Sequence, residues 1–269
     1  MHAFKRVRRA IAIALLVTAT SVGLAACNSS NPATALETNQ KIAATCPAGQ
    51  KIAEDIALDL SATSRGDKLS DAVQSILRDK VTRVAVCTGH IKITGFATSA
   101  VDTAVLLDKA LNPAGQTENA RLNRVPSMVD EAIATINANY PTVLQVVQSQ
   151  GTDVLAQFQL AHEYITQLNA GSNTYQLQLV LITDGIQNEG ITLNTPDLTA
   201  AVAQSLAEKV NVGSLKPAHI AITGIGRVVE GHRPPTSYVD ALKTFYTTVC
   251  GRATDPSNCS ITTDYTQGS

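Results

Sequence analysis

The chain has 269 residues, with 21 basic and 22 acidic side chains, a net charge of −1 and no basic run beyond Lys5 to Arg9. That balance offers no electrostatic footprint for a phosphate backbone and argues against nucleic acid as a partner. The length suits one domain able to bury a substantial core.

The first residues read as an address. Lys5, Arg6, Arg8 and Arg9 precede an apolar stretch, Ala10 to Leu24, that ends in small residues, the layout of a secretory signal. A stretch of about 15 residues is shorter than the roughly 20 that span a bilayer as a helix. Leu24-Ala25-Ala26-Cys27 resembles the lipobox of bacterial lipoproteins. The resemblance implies a signal peptide over residues 1–26, a lipid on Cys27 and a place on the extracytoplasmic face of the cell membrane, held there by the anchor. Without residues 1–26 the chain keeps 17 basic and 22 acidic side chains, a net charge of −5. Residues 27–45 are polar and rich in small side chains, which predicts a flexible tether ahead of a domain over residues 46–269.

Four more cysteines, Cys46, Cys87, Cys250 and Cys259, form an even set that favours disulfides outside the cytoplasm. Three pairings are open. Cys46 with Cys87 and Cys250 with Cys259 is preferred, because the second pair is local and the first ties the start of the domain to an expected strand. None has zinc-site spacing.

Along the chain the apolar residues alternate between strand and helix period. Ile56 to Leu60 reads as a short buried strand, and Leu69, Ala72, Val73, Ile76 and Leu77 then share one helical face. Thr82 to Cys87 and Ile91 to Ala97 are the next expected strands, joined through Thr88-Gly89-His90 as a hairpin that would place one antiparallel edge strand in the sheet. Asp102 to Leu111, Ser127 to Asn139 and Thr142 to Gln148 look helical, with Pro126 suited to a helix start and Pro141 to a break. Val154 to Leu168 reads as a helix and Leu177 to Ile182 as a strand, after which Thr195-Pro196-Asp197 is expected to cap a helix through Lys209. Ala218 to Ile225 is the last expected strand. Ser237 to Val249 is the last helix, with Tyr238, Leu242, Phe245 and Val249 on its apolar face. This alternation predicts an α/β fold with a mostly parallel central sheet and helices on both faces.

Two of these strands end in hard oxygen donors. Asp59, Ser61 and Thr63 follow the first, Asp184 follows the strand ending at Ile182, and Thr152 opens the helix between them. In an open α/β sheet ligands sit in the crevice at the carboxyl ends of the strands, so the two acids are expected to meet there. Mg²⁺ asks for six oxygens and usually takes only one or two carboxylates, which matches this donor set.

These residues resemble the von Willebrand factor A domain family over about residues 52 to 250. Its metal-ion-dependent adhesion site has the pattern D-x-S-x-S after the first strand, a Thr opening a later helix, and an Asp after the fourth strand, often as T-D-G. Here Asp59, Ser61 and Thr63 stand for the first, Thr152 for the second and Thr183-Asp184-Gly185 for the third, while Ile220 to Gly226 looks like the family's fifth strand and glycine turn. Thr63 departs from the family's second serine; it keeps the hydroxyl and adds a methyl and a stiffer χ1, with Ser64 next to it as a further donor. The resemblance implies a three-layer, Rossmann-like fold with Mg²⁺ or Mn²⁺ as cofactor. Its ligand would be a protein or other carboxylate-bearing group that fills an open coordination position. No catalysis is implied.

Other chemistries fit less well. Gly224-Ile225-Gly226 follows a strand, but Val229 stands where a dinucleotide fingerprint needs glycine and too little chain follows, so no nucleotide is expected. A hydrolase could pair Ser61 with His90, His162, His219 or His232, yet no serine lies in a G-x-S-x-G elbow. Glu189 and the 231–235 loop border the expected crevice; they suit choosing a ligand better than bond making, and a solvated loop is preferred to either. The runner-up is a metal-independent scaffold of a cell-envelope complex with a vestigial site.

Overall fold

The structure, a computed structural model, describes residues 32–148, 150–228 and 234–265. The signal peptide, Cys27 and His232 lie outside the described residues. Among the described residues no helix is long and apolar enough to cross a membrane.

The elements run α1 (Pro32–Ala43), β1 (Lys51–Asp59), α2 (Asp71–Cys87), β2 (His90–Phe96), β3 (Thr103–Ala110), α3 (Glu118–Leu122), α4 (Val125–Val146), α5 (Val154–Asn169), β4 (Tyr175–Ile182), α6 (Ala200–Lys209), β5 (His219–Thr223), α7 (Thr236–Ala253) and β6 (Cys259–Thr262). Six strands form one sheet in the order β3-β2-β1-β4-β5-β6. All neighbours are parallel except β2 and β3. Alternate residues of β1 enter different cores: Ile52, Ile56 and Leu58 pack with α2 and α4, whereas Ala53 and Ala57 pack with α5 and α7. This is the three-layer, Rossmann-like architecture of the von Willebrand factor A fold, mostly parallel with one antiparallel edge strand.

Several elements differ from the sequence expectation. The stretch expected as a tether contains α1, because Leu36, Ile42 and Ala43 pack on the core and buried Asn39 donates to the Leu122 carbonyl at 3.1 Å. Asn39 at a core position hides the helical period. Thr82 to Cys87 is the second half of α2 rather than a strand: Val81, Val84 and Ala85 are buried at helical spacing, and packing outweighs the β-propensity of the branched residues. The expected hairpin is therefore a helix end. Thr88 takes the left-handed conformation at φ 56° and its N–H caps Val84. Gly89 follows because a Cβ there would lie 2.3 Å from the Ile52 carbonyl oxygen.

The antiparallel edge strand is instead β3, over residues expected to be helical. Pro141 does not break its helix; α4 continues through it to Val146. Pro141 and Asn137 are on the exposed face of the helix, where solvent can satisfy a carbonyl that the proline leaves unbonded, while Tyr140 and Val143 bury the other face. Helix α6 starts later than expected, at Thr199, whose Oγ1 accepts from Val202 N–H at 3.3 Å. Strand β1 begins five residues before Ile56, and β6 was not expected. Both preferred disulfides are present, with Cys46–Cys87 joining the segment after α1 to the end of α2 and Cys250–Cys259 joining α7 to β6.

Candidate metal centre

Asp59 is the last residue of β1, and Asp184 stands two residues beyond the end of its neighbour β4, where Leu58 pairs with Ile182. Parallel pairing therefore brings both acids to the same edge of the sheet, and both are buried. Asp59 Oδ1 accepts from Ser61 N–H at 2.9 Å and Oδ2 from the Thr183 hydroxyl at 2.6 Å. Asp184 Oδ1 accepts from Ile186 N–H at 2.9 Å. Asp184 Oδ2, Ser61 Oγ and Ser64 Oγ are buried with no hydrogen-bond partner.

Burial raises both carboxyls. Asp59 is pushed up to about 7, first by desolvation and then by the like charge of Asp184, with the Ser61 and Thr183 hydroxyls pulling it back. Asp184 is raised by desolvation and eased by Thr63, Ile186 N–H and Ser64. The Ser61 and Ser64 hydroxyls thus lie beside the carboxylates but outside hydrogen-bond geometry.

Two facing carboxylates with three unsatisfied oxygens are costly for a protein to bury alone. A hard divalent cation suits them, since it cancels the repulsion and accepts neutral oxygen ligands. Among the described residues no three His, Cys, Asp or Glu side chains gather to hold a metal, so such an ion needs the hydroxyls. The residues present fit Mg²⁺ or Mn²⁺ better than zinc.

Asp59, Ser61, Thr63 and Asp184 are thus brought together, Thr63 on the exposed side. Thr152 is buried on the loop before α5, and that loop is tied to the segment after Asp184. Its N–H donates to Asn188 Oδ1 at 2.8 Å, and Asn188 N–H returns to the Thr152 carbonyl at 3.2 Å.

Two residues outside the sequence-predicted set organise the site. Thr183 orients Asp59. Fully buried Gln187 accepts from Val154 N–H at 2.7 Å through Oε1 and donates through Nε2 to Asp153 Oδ1 at 3.1 Å, locking the start of α5 onto the β4 loop. The only sequence signal for Thr183 is its place beside Asp184; Gln187 has none. Glu189 reaches back over Gly151, where a Cβ would lie 2.7 Å from Glu189 Oε1. Residues 231–233 lie outside the described residues.

His90 and His219 begin β2 and β5, at the sheet edge opposite the crevice, and His162 is exposed on α5. The Gly224-Ile225-Gly226 turn has its N–H groups committed: those of residues 224 and 225 donate to Thr262 O, each at 3.1 Å, and that of Gly226 to Asp184 O at 2.8 Å.

Gly185 has φ +78°, and a Cβ there would lie 2.7 Å from Ile225 Cδ1 and 3.0 Å from Tyr246 Cε2. The Tyr246 hydroxyl also donates to its carbonyl at 3.0 Å. Gly185→Ala is expected to cost about 1–3 kcal/mol. Gly190→Ala has a similar φ of +69° but no atom within 4 Å, and is expected to cost about 1 kcal/mol. Urea midpoints of the two variants check this, and equal losses would remove the contribution of close packing.

No protein-family model matches the sequence, and no curated protein matches it. Among solved structures the chain is similar to the conserved hypothetical protein BatB from Bacteroides thetaiotaomicron, at 13% identity and a TM-score of 0.38 over 79% of this chain and 90% of that one. It is also similar to the open conformation of the pilus adhesin SpaC from Lactobacillus rhamnosus GG, at 10% identity and a TM-score of 0.39 over 80% of this chain and 28% of that one. A third similarity is to the manganese-loaded TRAP protein of Plasmodium vivax, at 12% identity and a TM-score of 0.34 over 75% of this chain and 74% of that one.

Proposed function

We propose that the chain is an extracytoplasmic, lipid-anchored binding module. Its crevice holds Mg²⁺ (or Mn²⁺) on Asp59, Ser61, Thr63, Thr152 and Asp184 and engages a protein or other carboxylate-bearing ligand there. The observation that supports this best is the meeting of two buried carboxylates with three unsatisfied oxygens at the carboxyl edge of the sheet. When bound, the cation supplies a positive centre for an incoming Asp or Glu side chain. The chain's own contribution is to hold the donors before the ligand arrives: Ser61 N–H and the Thr183 hydroxyl fix Asp59, Ile186 N–H fixes Asp184, and Gln187 fixes the loop that carries Thr152. Neutral hydroxyls among the donors leave the cation under-neutralised, which strengthens its attraction for an outside carboxylate. The two disulfides suit an extracytoplasmic setting, and the lipobox-like sequence supports Cys27 as the anchor.

Mg²⁺ at about ten times its dissociation constant is expected to stabilise the protein by about 1.4 kcal/mol, or a rise in Tm of about 3–6 °C. Asp59→Ala and Asp184→Ala should each lose that rise in scanning calorimetry. Identical melting of the parent protein in Mg²⁺ and in EDTA would overturn the metal-dependent reading and leave the scaffold.

A further inference from the structure

The loop that carries most of the hydroxyl donors is fastened to a helix that carries none of them. Residues 60–70 join β1 to α2 and include Ser61, Thr63 and Ser64. The segment turns on itself, with the N–H groups of Ser64 and Arg65 donating to the Ser61 carbonyl at 3.1 and 2.9 Å. Two adjacent residues then tie this turn to α4. The Arg65 guanidinium donates to the Leu144 carbonyl, and the Tyr140 hydroxyl donates to the Gly66 carbonyl at 2.9 Å. Tyr140 and Leu144 stand one turn apart on the same side of the helix, so both anchors reach a single stretch of α4. Buried Leu60, at the head of the loop, packs toward the same end: a Cβ on Gly95 would lie 2.3 Å from Leu60 Cδ1 and 2.9 Å from Val143 Cγ1.

The arginine suits the helix as well as the loop. The last carbonyls of a helix lack intrahelical partners, and the negative end of its dipole favours a cation. Helix α4 has no basic residue in its own last turn. The Val147 N–H donates to the Val143 carbonyl, the Gln148 side chain donates to that of Gln145 at 2.7 Å, and Arg65 serves Leu144 between them. This contact commits the guanidinium to α4. Among the described residues neither Asp59 nor Asp184 forms an ion pair, so an arginine two positions beyond Thr63 leaves both carboxylates to a cation from outside. The arrangement that the anchors hold is unfavourable by itself, since Ser61 Oγ and Ser64 Oγ are buried with no partner. A loop free to move would turn such hydroxyls to water or to its own backbone.

We propose that Arg65 and Tyr140 are positioning residues for the metal: by fastening the loop to α4 they hold the Ser61, Thr63 and Ser64 oxygens in place before a cation binds, and so set its affinity. Neither side chain is itself a ligand. The inference rests on the metal-dependent reading proposed above.

The test titrates Mn²⁺ alone into the full chain by calorimetry and follows hydrogen exchange of residues 60–68 in EDTA. Tyr140→Phe and Arg65→Gln should each weaken Mn²⁺ binding about tenfold, the effect of one lost hydrogen bond, and should speed exchange in the loop by a similar factor. Arg65→Lys, which keeps the charge, should recover part of both. Arg78→Gln, which breaks the exposed Arg78–Asp130 pair between α2 and α4, should alter neither. Tyr140→Phe removes only a hydroxyl, which keeps the test informative if Arg65→Gln lowers stability. Parent affinity in both Tyr140→Phe and Arg65→Gln would overturn the proposal and leave the metal-dependent reading intact. Faster exchange confined to residues 143–147 would also overturn it, since that is the mark of a helix cap and nothing more. A parent chain that binds no Mn²⁺ would overturn the metal-dependent reading and this proposal with it.

Discussion

Lys80→Met is expected to destabilise the protein by about 3–5 kcal/mol at pH 8. Glu54 lies in the middle of β1, fully buried, and neither carboxylate oxygen has a hydrogen-bond partner. Lys80 Nζ, 3.5 Å from Oε1, is its compensating charge. Burial pushes the Glu54 carboxyl above its ordinary value, and Lys80 is the largest influence in the other direction. Because the folded value lies above the unfolded one, the contribution of this group is most favourable below the unfolded value and is lost as pH rises through the folded one. Removing Lys80 raises the folded value further, so the loss in Lys80→Met should shrink as pH falls toward 4.5, where Glu54 takes up a proton in both states. Asp55, on the opposite face, is raised by burial to about 6 from 3.8 and adds a slope of the same sign between those values. In Glu54→Leu/Lys80→Met most of the stability should return, since an apolar pair replaces a buried ion pair at little cost. Urea midpoints of the parent and both variants at pH 8 and pH 5 decide this; a loss in the single variant that is the same at both pH values would show that Glu54 does not carry it.

The second large effect is expected from the disulfide that fastens α1. Cys46 and Cys87 are 41 positions apart, and closing a loop of that length in the unfolded chain corresponds to about 4 kcal/mol by chain entropy. Replacing both with Ala should lower Tm by about 8–16 °C. The Cys250–Cys259 bridge spans 9 positions and should contribute about 2.6 kcal/mol by the same relation. Thermal melts of the two double variants test the ranking; a larger loss at the shorter loop would show that native contacts, rather than unfolded-state entropy, set the effect.

The parts of the fold that the sequence makes legible are those with unbroken period. Helices α5 and α7 present one apolar stripe each, and β4 is a short apolar run with a turn after it. The strand-end oxygens were legible for a related reason: Asp59 and Asp184 interrupt apolar runs, and parallel pairing then forces them to one edge. Strand β3 was illegible because its alternation is broken. Ile93 faces Leu107 while Thr94 faces Val105, so Leu106 is an extra residue between them and two buried leucines are adjacent. Adjacent apolar residues followed by Asp108 and Lys109 imitate a helical stripe. The end of α2 misled in the opposite way, since branched residues that favour strands in isolation were placed in a helix by their packing. Gln187 was invisible because a buried amide that fastens two loops has no spacing of its own.

The early start of α1 has a mechanical consequence. With Cys27 acylated as proposed, only five residue steps separate the lipid from Pro32, and even fully stretched they reach about 18 Å. The module is then kept near the bilayer on a short leash, not swung from a long one. Cys46 fastens the far end of α1 to the tip of α2 beside the starting ends of the strands.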